Sequence, residues 1–496
     1  MAALQQLEIL VHGNYPPALL DAVAETHPRC RVSVFPLCSF SSEKEDLSRR
    51  EWVQSPVLHA VQIICYENHH QGIYTEHPDR VLRDLLYQSP HIKRLALQIS
   101  SKYTTSSCHA YARWLQARPR EREEVDLDPT RRARLEVLSL PLITKITASQ
   151  FLAWSRVTDL GCLTAWTAGA VEDVSLMTTI ADLKPFRALE RLTLALYPPE
   201  NSSAWLPAVE AMFDALPPLG YLCLLGTYDP AMLPVAVLDR HGATLAELKL
   251  HRPKPQYMEY ESFRLANKGG QISPIFPADV IARMAARCPS LHTLRLCVQR
   301  YRGHPVETAA YEALGLFPAL RTLHLVLNCL PVVQGDGRPF PPRELSAYEL
   351  ETLPSPWQGV HKWKIRDCAI NSAFDEPLAV AIFMRIQTAR RPRGPLRLLR
   401  LHPLAGQWSQ YEAPTGITPY ARLGGGEIHY DMAGQWEVEC EADGRLRADN
   451  RRKPRGKGER LMRHADVDIF QSIWPSTGSK IWPLEWQSWP LSVRDT

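Results

Sequence analysis

The sequence lacks the short signatures that would announce a catalyst. It has no G-x-S-x-G elbow, no H-E-x-x-H, no G-x-x-x-x-G-K-[ST] loop and no G-x-G-x-x-G turn, so nucleophilic hydrolysis, zinc proteolysis and nucleotide chemistry have no recognisable carrier. Nor does any stretch approach the 18 apolar residues of a membrane span. The opening MAALQQLEILVHG lacks the basic region and apolar run of a signal peptide. No C-x-x-C pair occurs among 11 cysteines scattered singly from Cys30 to Cys440. That odd, dispersed set fits reduced thiols in a cytosolic or nuclear protein better than a disulfide framework. An excess of charge of either sign is also missing: 57 Lys+Arg face 53 Asp+Glu, a net +4 that implies no obligatory nucleic-acid partner. A soluble, intracellular, non-enzymatic protein is expected, without cofactor or metal.

What is present is a phrase, L-x-x-L-x-L. It reads Leu291-x-x-Leu294-x-Leu296 in PSLHTLRL and Leu320-x-x-Leu323-x-Leu325 in PALRTLHL. Accepting Ile, Val or Trp at the apolar positions, it also starts at Leu4, Leu58, Ile92, Leu135, Val157, Leu189, Leu219, Leu245, Val360 and Leu396. Apolar positions two apart mark a short strand. Between phrases run helical patterns, DRVLRDLLYQSP, AWLPAVEAMFDALPP, PADVIARMAARCPS and TAAYEALGLFP, each stopped by a Pro before the next strand. Such a unit buries its apolar face only by stacking on neighbours, which predicts an α/β leucine-rich-repeat solenoid over residues 1–402, right-handed, with short parallel strands on the concave face and helices outside.

From Leu58 to Leu396 the starts are spaced by about 34 residues, longer than the 20–29 of ordinary leucine-rich repeats. The excess is expected in loop insertions at 117–134, 251–274 and 331–357. After about residue 403 the phrase stops. EIHYDMAGQWEVECEADGRLR alternates like a three-strand meander with turns at Ala433-Gly434 and Asp443-Gly444, and a Trp-rich tail follows. Residues 403–496 are therefore read as a β-rich C-terminal cap whose tryptophans dock on the last repeat. At the other end Leu4-x-x-Leu7-x-Ile9 is already a repeat strand, so either residues 1–57 form a degenerate cap or another domain normally precedes them.

The phrases SPHIKRLAL, RALERLTLAL, ATLAELKL, CPSLHTLRL and FPALRTLHLVLN, with the ending IWPSTGSKIWPLEWQSWPL, resemble the F-box/leucine-rich-repeat proteins abundant in filamentous fungi. The resemblance implies substrate recognition in ubiquitin ligation, with adaptor docking through an F-box; none is found in this sequence, which leaves it lost, divergent or lying upstream, and a ligase adaptor is an expected partner only if one exists upstream. A stand-alone repeat scaffold is the alternative. In the family's repeat an Asn or Cys follows three residues after the last apolar position and binds loop backbone; here Asn328 and Cys368 match.

Residues between the apolar positions of such a strand should face the concave surface. In the last five phrases before the cap these include Lys249, Arg295, His324, Lys362, Lys364, Arg366 and Arg400, against the single acidic Glu247. A protein partner with an acidic or phosphorylated segment is the expected ligand; a solvated face neutralised by loops is the bland alternative. Arg451, Arg452, Lys453, Arg455 and Lys457 resemble a nuclear-import signal, with no aromatic platform for nucleic acid. Cys65, His69, His70 and His77 lack zinc-ligand spacing and read as loop residues. Asp466 and Asp468 read as solvated.

Overall fold

In a computed structural model the described residues are 4–10, 17–39, 54–66, 85–100, 132–140, 146–199, 203–226, 228–251, 274–334, 338–353, 360–390, 394–404, 432–451, 464–475 and 486–491. They form two compact units, one through Leu225 and one from Gly226. The protein is α/β, and its parallel strands, taken in chain order, fit a repeat solenoid.

The first unit carries strands β1 (Gln6–Leu10), β2 (Arg31–Ser39), β3 (Leu58–Tyr66), β4 (Arg94–Ser100), β5 (Val137–Ser139), β6 (Ala165–Val171), β7 (Arg191–Leu196) and β8 (Tyr221–Gly226). Each of β1 to β6 pairs in parallel with its successor. Helix α1 (Pro17–Thr26) joins β1 to β2, and α2 (Ala148–Val157), α3 (Val174–Leu183) and α4 (Trp205–Ala215) pack one on the next. Local chemistry starts these helices: Thr147 and Gln150 close a capping box on α2, and Asp173 accepts from Ser175 N at the head of α3. Between helix and sheet the rings of Phe151, Trp166 and Phe186 meet, Trp166 stacking on Phe186 at 4.9 Å.

The second unit repeats the scheme. Strands β9 (Glu247–His251), β10 (Thr293–Gln299) and β11 (Thr322–Asn328) are followed by the ribbon of β12 (Val332–Val333) and β13 (Pro339–Phe340), then by β14 (Leu398–Leu404). Parallel pairing runs β9–β10–β11–β14. Its register aligns Leu294, Leu323 and Leu399 in one row and Leu296, Leu325 and Leu401 in the next, all at most 1% exposed. The phrase is thus one stripe of core repeated strand after strand. Helices α5 (Ala278–Arg287), α6 (Pro305–Leu314) and α9 (Glu376–Arg390) stack in succession; α7 (Ala347–Leu350), α8 (Lys362–Ser372) and α10 (His464–Ile473) lie in the same unit.

Two phrases are not strands. The one at Val157 covers the end of α2 and a tight turn at Leu160–Cys162. The one at Val360 opens α8, so the parallel ladder passes directly from β11 to β14. No Gly or Pro interrupts Lys362–Ser372, and the backbone continues as helix where a strand phrase would have to turn. Conversely β2 and β6 lack the phrase: Arg29 stands three residues before Val32, and Ala168 fills the last apolar position of β6. Asn328 does bind loop backbone, accepting from Leu330 N at 3.3 Å and donating to Gln299 at 2.7 Å. Cys368 is instead buried inside α8.

The C-terminal segment supplies β15 (Trp436–Cys440) and β16 (Leu446–Asn450), an antiparallel hairpin whose turn holds Gly444 at φ +86°. β15 adds antiparallel to β14. The expected first strand of the meander, EIHYD, lies outside the described residues. Trp474, Trp486 and Trp489 pack against a core that includes Leu330, Ile365, Cys368 and Phe470, so the tryptophans meet α8 and α10.

Candidate functional site

Alternation in a strand sends the polar residues of β9–β14 to the face opposite the leucine rows. Register then decides which of them are neighbours. Lys249 aligns with Arg295, Arg295 with His324, and His324 with Arg400. Adjacent strands are about 4.8 Å apart, so these four form a lateral row. The row continues where the sequence showed no phrase: Glu437 of β15 lies opposite Arg400, and Asp449 of β16 opposite Glu437. A second row holds Glu247, Thr293, Thr322, Leu398, Glu439 and Arg447.

This arrangement corrects the expected basic wall. Lys362, Lys364 and Arg366 belong to α8 and leave the row. Lys249, Arg295 and Arg400 remain against Glu247, while the hairpin contributes Glu437, Glu439 and Asp449 against Arg447. Within these two rows of described residues the charge is basic over β9, β10, β11 and β14 and acidic over β15 and β16, with four cations against four acids. Lys249 Nζ lies 2.7 Å from Glu247, and Glu437 accepts from Arg400 Nε at 2.8 Å and from Arg451 Nη2 at 2.6 Å. The hydrogen bond from Arg451, with that from Arg400, outweighs burial and holds the Glu437 carboxyl below its ordinary range.

His324 sits in the middle of the row. Burial, followed by the charges of Arg400, Arg295 and Lys249, pushes its pKa down to about 4, so the imidazole is neutral at pH 7. Above about pH 6.5, the value of a free His, folding costs this group nothing. As pH falls from 6.5 towards 4 the unfolded chain takes up a proton that the folded one refuses, and stability is lost across that window. With allowance for solvent screening, the loss amounts to about 1–2 kcal/mol. His324→Gln should flatten the dependence of unfolding free energy on pH between 6.5 and 4 by this amount. Urea titrations at several pH values check it; an unchanged slope would remove His324 from the row's electrostatics. His59 and His91, also lowered chiefly by burial, add slope in the same direction.

The other sequence candidates are placed elsewhere. Lys362 Nζ binds Glu351 at 2.8 Å and Asp468 at 3.2 Å, and lies 3.9 Å from the centre of the Tyr348 ring. Asp468, expected to be simply solvated, thus has two partners, since Tyr348 Oη also donates to it at 2.8 Å. Burial lowers the pKa of Lys364, and Arg366 Nη1 binds Glu349 at 2.8 Å. Of the import-signal candidates, Arg451 is engaged with Glu437, while Arg452, Lys453, Arg455 and Lys457 lie outside the described residues, as do His69, His70 and His77. Among the described residues no group of His, Cys, Asp or Glu is placed to hold a metal, and no helix is long and apolar enough to cross a membrane. Glu437 and Asp449 were missed because they join the row through an antiparallel hairpin. The E-V-E alternation at 437–439 was the available signal.

No protein family matches the sequence, and no curated protein does. Among solved structures, the leucine-rich repeat-containing protein LegL7 from Legionella pneumophila is similar at 12% identity and a TM-score of 0.31, over 68% of this chain and 92% of that one. The yeast Rad7 and Elc1 complex is similar at 12% identity and a TM-score of 0.29, over 63% of this chain and 78% of that one.

Proposed function

We propose that the chain is a non-catalytic protein-interaction scaffold of the leucine-rich-repeat type, with the polar sheet face of β9–β16 as its binding surface. The in-register row Lys249–Arg295–His324–Arg400, ending in Glu437 and Asp449, carries this reading. A face polarised along one row selects a partner segment with acidic groups at one end and basic groups at the other, and it fixes the direction in which that segment lies. No chemistry is assigned to the face; it presents a partner.

Within this reading, the F-box/leucine-rich-repeat resemblance points to substrate recognition in ubiquitin ligation, in the cytoplasm or nucleus. Affinity purification of the full chain tests both levels. Proteins enriched by the native chain should be depleted about tenfold or more by the combined change Lys249→Glu, Arg295→Glu and Arg400→Glu, and capture should weaken with salt. An unchanged partner set would overturn the assignment of the face. Recovery of a cullin and its adaptor supports the ligase role; their absence beside other, charge-dependent partners favours a stand-alone scaffold.

A further inference from the structure

Three arginines of the second unit converge beside α8. Arg302 follows β10, Arg343 follows β13 and Arg366 lies on α8 itself. Arg302 Nη1 and Arg343 Nη2 both donate to Asp367 Oδ1, at 3.2 and 3.0 Å, while Arg343 Nη1 and Arg366 Nη1 both reach Glu349 Oε1 at 2.8 Å. Glu349 Oε2 is already taken by the backbone N and hydroxyl of Ser346. Three full positive charges therefore share two carboxylates. A guanidinium offers five N–H donors, so most of the donors in the cluster are not used on these acids.

The layering matters as much as the count. The carboxylates form the floor, with side chains 8% and 10% exposed for Glu349 and Asp367, while those of Arg302, Arg343 and Arg366 are 24%, 22% and 21% exposed. The cations are thus the more accessible members of the cluster, and they outnumber the acids by one. Arg343 Nε is buried without a hydrogen-bond partner. The pKa of Arg302 is lowered by burial, and the charges of Arg343 and Arg366 lower it further even though Asp367 opposes them. Mutual repulsion of this kind is relieved by an anion.

The platform is also held still. Arg302, at φ +57°, has its backbone N–H fixed by Asn371 Oδ1 at 2.9 Å, and the neighbouring N–H groups of Tyr301 and Gly303 are held by Glu307 Oε2. The Trp489 ring lies 5.9 Å from the Arg302 guanidinium carbon. Rigid, preorganised guanidinium groups suit an oxyanion that can accept from several forks at once.

We propose that Arg302, Arg343 and Arg366 form a binding site for a tetrahedral oxyanion of the phosphate class. Inorganic phosphate and a phosphorylated side chain of a partner present the same acceptor oxygens to it. The test uses the full chain and inorganic phosphate, titrated by calorimetry at low salt. Saturable binding is expected, weakened about tenfold or more by Arg302→Gln and by Arg366→Gln, and unaltered by Arg400→Gln on the sheet face. A phosphoserine peptide that displaces phosphate identifies the side-chain source; one that does not leaves the free anion as ligand. Either result supports the site. Should the arginine variants fail to fold, tungstate soaked into crystals of the native chain decides: density among the three guanidinium groups supports the proposal. No saturable binding of phosphate, tungstate or phosphoserine to the native chain, or equal binding by folded variants, overturns it.

Discussion

Replacing Glu307 by alanine is expected to destabilise the protein by about 3–5 kcal/mol, because it strands a fully buried cation. Glu307 Oε1 accepts from Arg300 Nη1 at 2.6 Å and from Tyr311 Oη at 2.8 Å; Oε2 accepts from the backbone N–H of Tyr301 at 2.6 Å and of Gly303 at 3.0 Å. Both ion-pair side chains are wholly inaccessible. Arg300 is the weaker half of the pair, since its Nε and Nη2 are buried without partners. The effect should therefore be asymmetric. Arg300→Met removes two orphaned donors and leaves Glu307 with three good ones, at a cost of about 1–3 kcal/mol. Urea unfolding of both variants reads the difference, and an Arg300→Met loss equal to or larger than that of Glu307→Ala would contradict this account.

Leu323→Ala should cost about 2–5 kcal/mol, and Thr322→Ala on the same strand within about 0.5 kcal/mol. Leu323 is 0% exposed and flanked in register by Leu294 and Leu399. Truncation opens a cavity that neighbours pinned by the ladder cannot fill. Thr322 lies one residue away on the polar face, where little is buried. Equal losses in the unfolding midpoint would mean that the phrase does not define the core stripe.

The leucine rows were legible because burial of one strand face forces a period of two, and a period of two is visible in a single sequence. Asn328 was legible only through the resemblance to the family's repeat, and the same offset misplaced Cys368, which lies in a helix. The helix at Lys362–Ser372 was not legible. K-W-K-I-R alternates like a strand, and only the unbroken run after it shows that the backbone coils. The partners of the cations were least legible. Glu437 reaches Arg400, and Asp468 reaches Lys362, across separations of 37 and 106 residues that no local pattern encodes. Two rows that looked basic from their parallel strands alone hold as many acids as cations once the hairpin is laid beside them.

The antiparallel approach of β15 to β14 has a consequence for how such a chain can change length. Duplicating a repeat anywhere among the parallel strands yields a new strand that finds a parallel neighbour on each side, so the array tolerates growth there. The same insertion after β14 would put a new strand, parallel to β14, between it and the hairpin. It would also part Arg400 from Glu437. Gains and losses of repeats are therefore expected upstream of Leu398, with β14 and its hairpin inherited as one block.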